Sequence, residues 1–343
     1  MQPRPPFPDD IAFAETKEGF SLPVIDVTHP RFAVADDPAT IAALDAAIDE
    51  QDRQFRRIPR FIMRWMMRSA AKQSRLMRAI VEPDAGFLDG LSTYVMKLGA
   101  DNLVPPYDQP MDRRFAASAH VPFLRLRLQQ TARFVAEGLV EELAGKPGAP
   151  LHLVNIGGGP AIDSLNTLIL LKRAHPALLQ RAIAIHVLDG DEAGPFFGAN
   201  ALAALEREGR PLHGLDVTFE RRTYDWNEPA SLRDLIAGLT AERAVIAASS
   251  EGALFEYGSD EAIVANLGAL RAGGRGARLV AGSVTRADQA RRRMIANTRF
   301  KLVPRGLDGF APLAARAGYT IVRTGAAMLS DQVLLRPAEA SGA

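Results

Sequence analysis

From residue 151 onward, short apolar runs alternate with helical stretches, and the first run leads straight into a cluster of three glycines. The runs are LHLVNI, IAIHVLD, VTFERR, AVIAAS, ARLVAGSV, YTIVRT and QVLLRP. Strands separated by helices connect through crossovers, so this alternation predicts an α/β fold: a Rossmann-like, seven-stranded, mainly parallel sheet with helices on both faces. Ahead of it, AALDAAIDEQ, RFIMRWMMRSAAKQSRLMRAIV, GFLDGLSTYVMKL and PFLRLRLQQTARFVAEGLVEEL show helical periodicity and no convincing period-two alternation. The glycines and prolines of AGKPGAP (Ala144 to Pro150) stop the last of these helices. The chain therefore divides into an irregular, proline-rich lead-in (1–35), a helical N-terminal domain suited to cap a substrate (36–146) and a cofactor-binding domain (147–343).

Composition narrows the function classes. The 343 residues contain no cysteine, which excludes disulfides, thiolate zinc sites, iron–sulfur clusters and a cysteine nucleophile. A net charge of +1 supplies no global argument for nucleic acid or an acidic partner. The N-terminal MQPRPPFPDD lacks the apolar core of a signal peptide, and no apolar run reaches the roughly 18–20 residues of a membrane span. The expectation is a soluble, cytoplasmic protein without a membrane span.

The glycine cluster lies in VNIGGGPAIDSL (Val154 to Leu165), between a strand and a helix. A triphosphate loop needs a Gly-Lys pair with a following hydroxyl residue, and none follows Gly159. A dinucleotide fingerprint, GxGxxG, is met at Gly157 and Gly159, but Ile162 stands at the third glycine position. Ligands of such sheets bind at the carboxyl ends of the strands. The residues there are GGGPA after the first strand and Asp189-Gly190-Asp191 after the second. Tyr224-Asp225-Trp226 follows the third, and SSEGALFEY, with Ser249, Ser250 and Glu251, follows the fourth.

This ordered set resembles the class I S-adenosylmethionine-dependent methyltransferases over residues 151 to about 336. The family's first turn reads as an acidic residue, a spacer, then GxGxG. Here Asn155 takes the acidic position, Gly157 and Gly159 match, Gly158 lies between them, and Ala161 replaces the third glycine. The resemblance implies S-adenosyl-L-methionine as cofactor, with Asp189 (beside Gly190) accepting hydrogen bonds from the ribose hydroxyls. It also implies Asp225 at the adenine amino group and Trp226 over the base. Ser249 and Ser250 complete the implied cofactor set, while Asp191 reads as a helix cap. LRAGG, before the fifth strand, resembles the family's LkpGG turn. SSEG in place of an NPPY-type sequence tells against DNA adenine or protein glutamine as acceptor.

Methyl transfer is an in-line displacement that requires alignment of donor and acceptor, and a base only if the acceptor loses a proton. His120, Tyr94 and Glu251 are the candidate catalytic residues, with Lys97, Arg113 and Arg114 as further candidates to line an acceptor pocket. No metal site is expected. The expected partner is a small-molecule methyl acceptor, to be methylated on oxygen, nitrogen or carbon. No nucleic-acid module accompanies the domain, and a homodimer stays open. The alternatives are an NAD(P)-dependent oxidoreductase, since Asp189 after a glycine turn also suits an adenosine ribose, and a non-catalytic binding or regulatory protein of the same fold.

One segment stands apart in charge. Residues 53–81 carry eight arginines and Lys72 with no acidic residue, a charge of +9 that leaves −8 on the rest of the chain. Helical spacing puts Arg60, Arg64, Arg68 and Lys72 on one face and Ile62, Trp65, Met66 and Ile80 on another. The basic face is expected to be solvated or internally paired, rather than to meet a polyanion or membrane, and the apolar face is expected to pack.

Overall fold

The computed structural model describes residues 7–56, 59–81, 89–272, 276–288, 292, 300–326 and 329–339. It opens with strands β1 (Phe13–Glu15) and β2 (Ser21–Pro23), then helices α1 (Pro38–Arg56), α2 (Arg60–Ala71), α3 (Arg75–Val81), α4 (Gly90–Leu98), α5 (Pro110–Ala116) and α6 (His120–Ala144). The alternating part follows as β3 (Leu151–Ile156), α7 (Ile162–Ala174), β4 (Ile183–Asp189), α8 (Ala193–Leu205), β5 (Val217–Thr223), α9 (Ala230–Ala241) and β6 (Val245–Ser250). It closes with α10 (Leu254–Tyr257), α11 (Asp260–Leu270), β7 (Leu279–Thr285), α12 (Gly306–Arg316), β8 (Tyr319–Ala326) and β9 (Ser330–Pro337).

All seven expected strands join one sheet in the order β5-β4-β3-β6-β7-β9-β8. The pairs from β5 to β7 are parallel, and β9 lies antiparallel between β7 and β8. The sheet is thus Rossmann-like and mainly parallel, but the inserted antiparallel β9 departs from the 3-2-1-4-5-6 order of dinucleotide-binding sheets. Each central strand is apolar on both faces. Leu151, Leu153, Val245, Ala247, Leu279 and Ala281 face a core shared with α6, α7 and α8. Their neighbours Val154, Ile156, Ile246, Ala248 and Val280 face α9, α11 and α12. Side chains of a strand alternate, so continuous apolar runs are what a sheet covered on both sides requires.

The N-terminal segment departs from expectation in two ways. Within residues 1–35, β1 and β2 pair antiparallel, and the chain beyond them buries Val24, Ile25 and Val27. Asn166 of α7 fastens this stretch: its Oδ1 accepts from Val27 N (2.8 Å) and its Nδ2 donates to the Ile25 carbonyl (2.9 Å). Because these partners are 139 and 141 residues apart, no local pattern announces them. The second departure is in α2. Ile62, Trp65 and Met66, expected to pack, are exposed. Among its described side chains Ala71 is buried, with Met67 and Ala70 half-buried beside it. The side chains of Arg60, Arg64 and Ile80 lie outside the described residues.

Close packing of α8 on the turn after β3 generates a stability prediction. A Cβ on Gly198 would sit 2.4 Å from the Pro160 carbonyl oxygen and 2.8 Å from Phe219 Cζ, whereas one on Gly238 of α9 would meet nothing within 4 Å. Gly198→Ala is expected to lower stability by about 1–3 kcal/mol through overpacking. Gly238→Ala should raise it by about 0.5–1 kcal/mol through helix propensity. Urea denaturation of both variants measures the contrast.

Candidate functional site

The strand order reverses at β3, so the crevice at the carboxyl ends of β3 and β6 is the topological switch point. The turn leaving β3 there is held from several sides. Gly157 (φ 67°), Gly159 (φ 57°) and Ala161 (φ 51°) all lie in the left-handed region. Ala161 adopts it at a cost of about 1–2 kcal/mol that a glycine would avoid. Asn155 is buried beneath the turn: its Oδ1 accepts from Gly158 N (3.0 Å), and its Nδ2 donates to Asp163 Oδ1 (2.8 Å) and Ser249 Oγ (3.2 Å). It therefore shapes the turn from beneath. Ser250 is similarly engaged, donating to the Ile156 carbonyl (3.0 Å) and accepting from Leu254 N (2.9 Å).

Asp189 closes the other side. Its Oδ2 accepts from Gly159 N (2.8 Å) and its Oδ1 from Asp191 N (2.8 Å), while Gly190 is exposed. Burial raises the Asp189 carboxyl above its ordinary value, against the pull of these backbone donors. The Gly190 N–H also bears on this carboxylate, so only part of its acceptor capacity is left for a ligand hydroxyl. Asp191 caps α8, accepting from Ala193 N (3.3 Å) and Gly194 N (3.2 Å). Trp226 is half-buried, with Cζ3 placed 3.1 Å from where a Cβ on Gly157 would stand. Asp225 is exposed and bends its own loop, accepting from Asn227 N (2.9 Å) and Nδ2 (2.8 Å). Turn, carboxylate and indole thus gather at the strand ends.

The residues expected to catalyse are placed differently. Tyr94 is buried, donates to the Pro23 carbonyl and accepts from Ile25 N (3.1 Å), which makes it a tie for the N-terminal hairpin. Burial also raises its hydroxyl pKa, so it stays protonated. Glu251 accepts from Lys97 Nζ on one oxygen and from Arg127 Nε on the other. Burial alone would raise its carboxyl, but the Arg127 and Lys97 charges outweigh that and hold it low, so this carboxylate is a paired anion and not a free base. His120 begins α6, seven residues before Arg127, or about 10 Å along the helix axis. Arg113 pairs with Asp108 (3.3 Å), and Arg114 is exposed.

Sequence reasoning missed the rest of that ionic cluster. Arg127 Nη1 also reaches Glu256 Oε1 (3.2 Å), so two cations face two buried carboxylates, all four side chains less than 10% exposed. Burial lowers the Lys97 pKa, partly offset by Glu251. Gly252 presses on the cluster, since a Cβ there would lie 2.4 Å from Arg127 Nη2. Gly90 was missed too. It opens α4, capped by Asp89 accepting from Ser92 N (2.7 Å), and its Cβ would stand 2.6 Å from Gly159 Cα. A D-G pair ahead of a helical pattern was the only sign, and it says nothing of what the helix end touches.

At the opposite, amino-terminal end of the strands, a cavity of about 650 Å³ opens between α9 and strands β3–β5. On its wall His186 Nδ1 donates to Glu220 Oε2 (3.0 Å), which leaves His186 Nε2 to accept from His152 Nδ1 (2.8 Å). Glu242 stands 4.0 Å from His152 Nε2, and Arg222 pairs with Glu220 at 3.3 Å. Among the described residues, no group of three or more His, Cys, Asp or Glu side chains could hold a metal ion.

No family model matches the sequence, and no curated protein matches it either. Among solved structures, a possible exported protein from Bordetella parapertussis is 16% identical, with 89% of this chain and 100% of that one covered at a TM-score of 0.54. Magnesium protoporphyrin IX methyltransferase from Synechocystis PCC 6803, crystallised with bound SAH, is 17% identical over 64% of this chain and 87% of that one, at a TM-score of 0.42. A pyocyanin biosynthetic protein is 15% identical over 64% and 58%, at 0.38. At such identities the likeness is one of fold.

Two predictions follow from the buried groups. Lys97→Met leaves Glu251 short of a partner and should cost about 3–5 kcal/mol; adding Glu251→Gln should recover part of that loss, as read in a denaturant double-mutant cycle. Burial depresses both His152 and His186 below the ordinary imidazole value of 6.5, so below that pH the unfolded chain binds more protons than the folded one. Stability should therefore fall as pH drops below about 6.5, and the slope should flatten in His152→Gln, His186→Gln.

Proposed function

We propose that this protein transfers a methyl group from S-adenosyl-L-methionine to a small-molecule acceptor. The observation that carries this reading is the junction of the Gly157–Gly159 turn with Asp189, whose carboxylate holds the turn through Gly159 N and keeps part of its acceptor capacity at the strand end. A ribose hydroxyl matches that capacity. The half-buried indole of Trp226 beside Gly157 suits a purine, and Asp225 stands exposed next to it. When bound, the sulfonium supplies an activated methyl carbon.

The chain's own contribution is alignment and exclusion of water. The α4 terminus at Gly90 and the α8 terminus at Gly194 close on the turn, and the Lys97–Glu251–Arg127 cluster lays fixed, paired charges beside it. With both Glu251 oxygens engaged and the Tyr94 hydroxyl tied to the hairpin, a displacement that needs no base from these two side chains fits the arrangement best. An acceptor with a polarisable or already deprotonated atom meets that demand. The nicotinamide alternative is disfavoured by Ile162 at the third glycine position and by the antiparallel β9 within the sheet.

S-adenosylhomocysteine should stabilise the protein by about 2.7 kcal/mol at 100 times its Kd, and NADH should not. Asp189→Ala should weaken its binding by about 1.5–3 kcal/mol, roughly ten- to 150-fold. Thermal shift and calorimetry read both. Stabilisation by NADH alone would reverse the choice between cofactors.

A further inference from the structure

Helix α2 turns its large apolar side chains outward. Phe61 is 76% exposed, Trp65 70%, Met66 43% and Ile62 37%. At positions i, i+1, i+4 and i+5 they form one stripe, opposite the side on which Ala71 is buried and Met67 and Ala70 are half-buried. Arg68 and Lys72 are exposed along its edge, and among the described residues neither pairs with a carboxylate. Arg75, in the next helix, is by contrast engaged by Glu18 at 3.1 Å.

We infer that α2 is a membrane-surface helix that lies in the interface of an anionic lipid bilayer. A surface helix with aromatic and aliphatic residues on one side and Lys/Arg along its border matches the two attractions an anionic interface offers: burial of apolar side chains among acyl chains and charge pairing with phosphates. Its twelve residues span about 18 Å, short of the roughly 30 Å hydrocarbon layer, so it lies flat rather than crossing. No helix among the described residues is long and apolar enough to cross. Self-association through this face would bring two segments of +9 together, since an isologous contact opposes the same patch to itself. A single-stranded nucleic acid would use the basic and aromatic residues, but Ile62 and Met66 have no place in it. The lipid surface accounts for every exposed residue of the stripe.

The test uses the full chain with vesicles of phosphatidylcholine alone and of phosphatidylcholine with phosphatidylglycerol, at low salt and at about 1 M salt, where screening acts within about 3 Å. Expected are co-sedimentation with the anionic vesicles, loss of it at high salt, and a blue shift of tryptophan fluorescence that Trp65→Phe reduces. Phe61→Ser, Trp65→Ser and, separately, Arg68→Glu, Lys72→Glu should each weaken partitioning by about tenfold or more. All four positions are exposed, so circular dichroism should show an unchanged fold. The inference is overturned by absent vesicle binding, by binding that only the charge reversal reduces, by an RNA oligonucleotide that binds tightly and displaces the vesicles, or by a dimer that the Phe61→Ser, Trp65→Ser variant dissolves.

Discussion

The structure turns on a backbone contact without side chains. Gly159 lies at the centre of the turn leaving β3, and Cβ atoms on Gly90 and Gly194 would come within 2.6 Å and 2.8 Å of its Cα. Three elements from distant parts of the chain therefore meet main chain to main chain: the first turn of α4, the β3–α7 turn and the first turn of α8. A side chain at Gly90 would push α4 off the turn, and one at Gly194 would push α8 off it. Because interiors pack like crystals, such a displacement would spread into the Asp189 bond to Gly159 N and then to the Asp191 cap. The glycine cluster is thus an assembly point for the fold.

Next to this contact stands a second constraint of opposite character. Lys97, Arg127, Glu251 and Glu256 sit buried at the end of β6, where each unpaired charge would be costly. The pairing is nearly complete, and the cluster joins α4 and α6 to the sheet. Apolar residues of similar volume would hold those elements at least as firmly, so stability alone does not explain the charges. What the cluster adds is a fixed electrostatic environment beside the switch point, with charges held in one orientation by their partners.

The molecule thus presents two differently built surfaces. At the switch point, polar groups are oriented by other polar groups and little side-chain freedom remains. On α2, large apolar side chains lie in solvent with cations along their edge, and among its described side chains Met67, Ala70 and Ala71 lean on the fold. A solvated helix does not need Trp65 and Phe61, and a core helix would bury them.

Much of the architecture was legible because strand and helix have different periods. Seven runs became seven strands, the central ones covered on both faces and the edge strands β5 and β8 partly exposed, and Gly157, Gly159, Asp189 and Trp226 gathered at strand ends because strand ends share one edge of a parallel sheet. Local cues also placed Asp191 as a cap. What tertiary structure alone decided was pairing across distance. Glu251 reads as a free carboxylate until Lys97 and Arg127, 154 and 124 residues away, are brought onto it; Tyr94 reads as a reactive hydroxyl until the hairpin occupies it. Likewise, periodicity showed that α2 has an apolar face but not that the face would be left uncovered. Periodicity is a property of neighbouring residues, and burial is a property of whatever the rest of the chain lays against them.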